Sequence, residues 1–140
     1  MILLDTCALL WLGAGHPPRS GVAEALEAAR SEDGVLLSPI SVWEIAQKEK
    51  KRPGVLGLSE PPLALFRRAS TLPGTRTAPL TPEILVAAVG LEGFGTEDPV
   101  DRMMVATALA EDAVLLTADA RMLAYAPLRT LDYGRPRKAR

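Results

Sequence analysis

"TEDPVDRMMVATALAEDAVLLTAD", residues 96–119, is the stretch on which the fold turns. Its first half has helical spacing; its second half is a short apolar run closed by a turn. Asp98, Pro99 and Asp101 look like a helix start: an N-cap, a proline at the first helical position and an acid in the first turn. At about 100° per residue, Asp101 shares a surface with Met104, Val105 and Ala108, so it heads the apolar face. A carboxylate turned inward is costly unless a cation or several donors meet it. "AVLLT" (113–117) reads as a buried strand, and Asp119 follows it. These acids are either helix caps or members of one site.

Further out, "MILLD" (1–5) is another buried strand candidate, ending in Asp5, and "TCALLWL" (6–12) a short helix. Residues 20–33 place Val22, Ala25, Leu26 and Ala29 on one helical stripe. "GVLLS" (34–38) is a strand. Ser38 then caps a helix that has Pro39 at its first position and runs to Arg52. "PLALFRRAST" (62–71) is a short helix. A brief strand is expected near Thr77–Leu80, and Thr81 caps a helix that opens with Pro82. "ADARMLAYA" (118–126) is a short helix and "LRTLD" (128–132) the last strand. Strands alternate with helices throughout, which predicts an α/β sandwich with a mostly parallel sheet. Such sheets bind ligands beyond the carboxyl ends of their strands, where the strand order reverses. Asp5 and Asp119 both belong on that edge.

A length of 140 residues predicts one domain, residues 1–133, followed by a basic tail over 134–140. Hydrophobic residues make up 48% and aromatic residues only 4%, so the core must be aliphatic. A net charge of −1 gives no global support for nucleic-acid binding. The basic stretches "QKEKKR" (47–52) and "GRPRKAR" (134–140) read first as solvated surface. The single cysteine, Cys7, excludes an internal disulfide and reads as a small buried hydrophobe. The apolar N-terminus is interrupted by Asp5 and lacks a basic start, so no signal peptide or membrane span is read and a cytoplasmic location is expected.

Glu44 lies one turn before Lys48, where an i,i+4 ion pair is the simple reading. Together with Asp5 and Asp101 it becomes a candidate site residue. Asp119 can likewise cap the helix after it. An all-oxygen ligand set suits Mg²⁺ or Mn²⁺. The single histidine, His16, sits in a Gly/Pro loop, which gives little support to Ser–His or Cys–His catalysis. Acids holding a metal can instead activate water against a phosphate. Thr6 and Thr117 can position a carboxylate, a water or substrate. Arg102 and Lys48 can meet phosphate or pair with an acid. Trp11 and Trp43 sit in apolar helical stripes, which favours packing over base stacking.

"LLDTCALLWL", "LSPISVWEIAQK" and "DPVDRMMVATALAEDAVLLTAD", in this order, resemble the PIN-domain ribonucleases, and among them the VapC-like toxins of toxin–antitoxin pairs. The resemblance covers nearly the whole chain. It implies a five-stranded parallel sheet of order 3-2-1-4-5 flanked by helices. It implies an acidic cluster of Asp5, Glu44, Asp101 and Asp119, with Asp98 as an accessory metal ligand. It further implies cleavage of RNA with Mg²⁺ or Mn²⁺, a small antitoxin protein as partner, and a homodimer. Thr96 and Glu97 stand where these toxins often carry His-Arg, and Cys7 where they often carry His, Ser or Asn.

Two rival classes remain at this stage. A PIN-like binding module without activity would not need all four acids. An aspartyl-phosphate protein would also place an acid at a strand end, but the phosphatase type expects a second Asp where Cys7 stands. Glu44 and Asp101 inside helices fit neither the phosphatase nor the receiver scheme.

Overall fold

A computed structural model describes residues 1–136. The last four positions of the expected basic tail lie outside the described residues. The elements run β1 (Ile2–Leu4), α1 (Thr6–Gly13), α2 (Val22–Ser31), β2 (Val35–Leu37), α3 (Pro39–Lys51) and α4 (Pro62–Ser70). They continue with β3 (Thr75–Thr77), α5 (Pro82–Val89), α6 (Pro99–Ala110), β4 (Val114–Thr117), α7 (Ala120–Leu123) and β5 (Thr130–Asp132). The sheet has five strands in the order β3-β2-β1-β4-β5, every neighbouring pair parallel. The alternation of strands and helices predicts the parallel α/β architecture, and the strand order is the one the family resemblance implies.

The period-2 alternation of a strand divides the core between the two faces. Leu4, Val35, Leu37 and Leu116 face a layer that includes Leu9, Val22, Leu26, Ile45, Leu65 and Phe66. Leu3, Leu36 and Leu115 face the opposite layer, with Met104, Val105, Ala108 and Met122. Both faces are covered, which is why the central strands read as unbroken apolar runs. The helices start where the cap residues predict. The Ser38 hydroxyl accepts from the Ile40 N–H, and the Thr81 hydroxyl from the Ile84 N–H.

Two expectations need correction. The third strand spans 75–77, not 77–80. It lies at the sheet edge with Arg76 and Thr77 exposed, so it carries little apolar signal. Only Ala78, just beyond it, is buried, and its N–H donates to the Leu37 carbonyl. Trp43 does not join the core: it is 54% exposed, because the buried side of α3 is set by Ser41 and Ile45.

β1 lies between β2 and β4, so the chain leaves it in one direction for β2 and returns on the other side as β4. That is the reversal of strand order at which a parallel sheet opens a crevice. α6 runs antiparallel to the strands, which brings its N-terminus to the same edge. The fold thus delivers residues from four separate segments to one place.

Candidate active site

An open cleft of about 480 Å³ lies at this edge. Asp5, Glu44, Asp101 and Asp119 all line it, as do the cations Lys48, Arg121 and Arg135, and Trp11 and Cys7. Each acid arrives by its own local rule. Asp5 ends β1 and caps α1, accepting at Oδ1 from the Thr6 N–H at 2.8 Å. Glu44 sits on the second turn of α3, with Lys48 Nζ 3.5 Å from its Oε1. Asp101 stands in the first turn of α6. Asp119 caps α7 through the Arg121 N–H at 2.8 Å.

Asp5 is the most firmly held. It is only 9% exposed, and Thr117 Oγ1 donates to its Oδ2 at 2.7 Å. The same hydroxyl accepts from the Asp119 N–H at 3.0 Å. Thr117 therefore ties the end of β1 to the turn after β4. Thr117→Val is expected to lower metal affinity or activity about 10–100-fold, as loss of a group that orients a ligand does. Thr117→Ser should retain both, which metal titration of the two variants would check.

Asp98 is a cap: its Oδ1 accepts from the Val100 and Asp101 N–H groups at 2.9 and 3.2 Å. Asp101 has no such role. Burial raises its pKa to about 6, with Asp98 as the next contributor, then Asp119 and Asp5, while Arg121 opposes them. The Arg121 guanidinium holds Asp119 the other way, below the usual carboxylate range. The caps and the site are thus the same cluster, with Asp101 as its least satisfied member.

Arg121 is the residue that sequence reasoning missed. Its Nη2 donates to Asp101 Oδ2 at 3.0 Å and to Asp119 Oδ2 at 2.8 Å, and its Nε to Asp119 Oδ1 at 3.2 Å. A cation two residues after a cap acid was the only available sign of it. Its bond to Asp101, 20 positions earlier, depends on the fold.

Arg102 does not face the cleft, contrary to its expected phosphate contact. It is 7% exposed. Its guanidinium donates to the carbonyls of Ala88, Val89, Leu91 and Thr96. One residue beyond Asp101 on a helix is a rotation of about 100°, and this turns Arg102 toward the α5–α6 connection. Thr6 and Thr117 are likewise too buried to meet RNA. The Thr6 hydroxyl bonds to Ser41 Oγ at 3.0 Å. Lys48 remains on the rim, half-exposed. Trp11 is partly buried and tilts against Tyr133 at 5.2 Å between ring centroids.

Cys7 Sγ lies 3.4 Å from Asp5 Oδ2. Burial, with the Asp5 charge second, pushes its thiol up to about 12. The thiolate is the reactive form, so at pH 8 Cys7 should react with a disulfide reagent at least about 100-fold more slowly than a free thiol. Timed labelling of the native and the unfolded chain would check this.

The donors are all oxygen, a set that suits a hard divalent cation. As the side chains stand, no three His, Cys, Asp or Glu groups among the described residues are close enough to hold one ion. Arg121 bridges two of the acids instead. The residues therefore fit a metal by their chemistry and by the local excess of negative charge, provided that Arg121 gives way.

A PIN domain model matches residues 2–127. The chain belongs to the PIN-domain family. It is 31% identical to Ribonuclease VapC22 of Mycobacterium tuberculosis over 122 residues, covering 86% of this chain and 88% of that protein. VapBC2 from Rickettsia felis, solved bound to a promoter DNA fragment, superposes with a TM-score of 0.69 at 16% identity, over 96% of this chain and 100% of that one. The sarcin-ricin loop cleaving toxin VapC20 of Mycobacterium tuberculosis gives 0.56 at 18% identity, over 82% of this chain and 87% of that one. The two structural likenesses establish the fold. With the sequence match, they make this a VapC-like PIN domain.

Proposed function

We propose that this VapC-like chain is a divalent-metal-dependent endoribonuclease and the toxin of a toxin–antitoxin pair. The observation that carries the reading is the convergence of Asp5, Glu44, Asp101 and Asp119 on one cleft at the point where strand order reverses. Asp5 and Asp101 are the primary ligands for Mg²⁺ or Mn²⁺, with Asp119 and Glu44 completing the site. Asp98 supports it from the start of α6 by adding charge rather than a ligand. When bound, the metal polarises a water and offsets charge growing on the phosphate.

The chain's own groups set the geometry. Thr117 and the Thr6 N–H fix Asp5 before any ion arrives, so little ordering is left to do on binding. Glu44 lies on the cleft wall, where it can orient a water. Lys48 and Arg135 on the rim supply local positive charge for the RNA backbone, which the net charge of the protein does not.

The antitoxin has a candidate seat in an apolar cleft of about 240 Å³ lined by Leu9, Leu12, Leu65 and Leu72. Pairing of two copies is assigned to α5, where Val86 and Val89 are 73% and 82% exposed.

Attack by a metal-activated water does not use the ribose 2′-hydroxyl. A 2′-deoxy sugar placed at the scissile nucleotide should therefore leave cleavage within about threefold, and no 2′,3′-cyclic phosphate should form. Loss of cleavage on that substitution, or cyclic-phosphate products, would contradict the mechanism.

A further inference from the structure

We infer that Arg121 is a built-in competitor for the metal: its guanidinium occupies the cation position of the acid cluster, and ion binding requires it to leave. The inference rests on the metal-dependent reading of this cleft.

The geometry carries it. One nitrogen, Nη2, bridges carboxylates from two different elements, Asp101 on α6 and Asp119 after β4. Side-chain exposure is 18% for Asp101 and 26% for Asp119, but 47% for Arg121. The cation thus lies on the solvent side of the two acids, with a free path outward. No three His, Cys, Asp or Glu groups among the described residues are placed to hold one ion, and the cation that meets two of the acids is Arg121. Half-exposed ion pairs are weak. A divalent ion held by Asp5 as well as these two acids would have the stronger hold and would displace the guanidinium.

The exchange leaves the backbone untouched. The Asp119 cap on α7 runs through the Arg121 N–H, not the side chain, so α7 keeps its start when the guanidinium leaves. Arg121 and Lys48 line the same cleft, so a displaced guanidinium would be available to a substrate phosphate. Arg121 is then a positioning residue with two partners: the acids without metal, the RNA backbone with it.

The test is Mn²⁺ binding to the purified chain, followed by calorimetry and by the paramagnetic signal of free Mn²⁺, with no RNA present. Arg121→Gln should bind Mn²⁺ about tenfold more tightly than wild type, since one unit of competing charge is removed at contact distance. Arg121→Lys keeps the charge but not the two-acid bridge, and should fall between the two. Arg135→Gln removes a charge from the same cleft and controls for bulk electrostatics; it should change affinity by no more than about twofold. Equal or weaker binding by folded Arg121→Gln would overturn the competitor role while leaving the metal site standing. So would a gain matched by Arg135→Gln. If neither wild type nor Arg121→Gln binds Mn²⁺, although both are folded, the metal-dependent reading fails and the inference with it.

Discussion

Asp101→Asn is expected to cut RNA cleavage by on the order of 10³-fold, the scale for loss of a group that stabilises charge in a reaction. The same variant should make the metal-free protein more stable. Burial raises the Asp101 pKa from 3.8 to about 6, and Asp98, Asp119 and Asp5 add to the shift. The folded chain therefore holds that proton more tightly than the unfolded chain. Its contribution to stability is fully present below about pH 4 and is lost as pH rises through 6. At neutral pH the charged Asp101 is a burden that Asn does not carry. After discounting for solvent screening, the gain is about 1–2 kcal/mol, or about 3–8 °C in Tm. It should vanish as the pH is lowered to 4. Thermal melts of both proteins from pH 4 to 8, without divalent metal, check this. A less stable Asp101→Asn at pH 7 would contradict the electrostatic account of the site. Activity lost with stability gained is the trade-off expected where function requires a poorly satisfied charge.

Arg102→Met should do the reverse. It removes the donor to four carbonyls, those of Ala88 and Val89 at the end of α5 and of Leu91 and Thr96 in the connection to α6, from a residue that is 7% exposed. One of those bonds is buried and three are part-buried, so the change should cost about 2–3 kcal/mol, or a fall in Tm of about 5–10 °C. Lysine should not restore the loss, because a single ammonium cannot reproduce the guanidinium fork. The ion pair with Glu97 adds little, since that side chain is 95% exposed. Below its melting temperature the variant should cleave RNA at close to the wild-type rate. A stable Arg102→Met with weakened RNA binding would put the guanidinium back at the substrate.

The pair Asp101 and Arg102 shows how far the sequence could be read. Asp101 was legible because helical periodicity placed an acid at the head of an apolar face, an expensive position that calls for a reason. Arg102 was misread because adjacency in sequence suggested adjacency in the site. Its true acceptors are carbonyls between positions 88 and 96, which no pattern of side chains reveals. Asp5 and Asp119 were legible from the general rule for strand ends in parallel sheets. Their third partner, Thr117, is read from the sequence only as one of two hydroxyls, with Thr6, that can orient a carboxylate. That Arg121 also reaches Asp101 follows from tertiary placement alone.

The same division holds for the elements. β1, β2 and β4 announce themselves because burial on both faces demands unbroken apolar runs. β3 is an edge strand with the sequence Thr-Arg-Thr, and nothing in the burial pattern marks it. Trp43 reads as packed because it sits in an apolar helical stripe, but α3 turns Ser41 and Ile45 inward and leaves the indole 54% exposed, outside the core of this chain.

Cleavage of a mixed cellular RNA pool by the purified, antitoxin-free wild-type chain tests the central claim most directly. The reaction is run with Mg²⁺, with Mn²⁺ and with excess chelator, and RNA lengths are followed over time. The account predicts discrete shorter RNAs with either metal and intact RNA with chelator. Equal cleavage in chelator, or intact RNA in all three reactions from a folded chain, would contradict it.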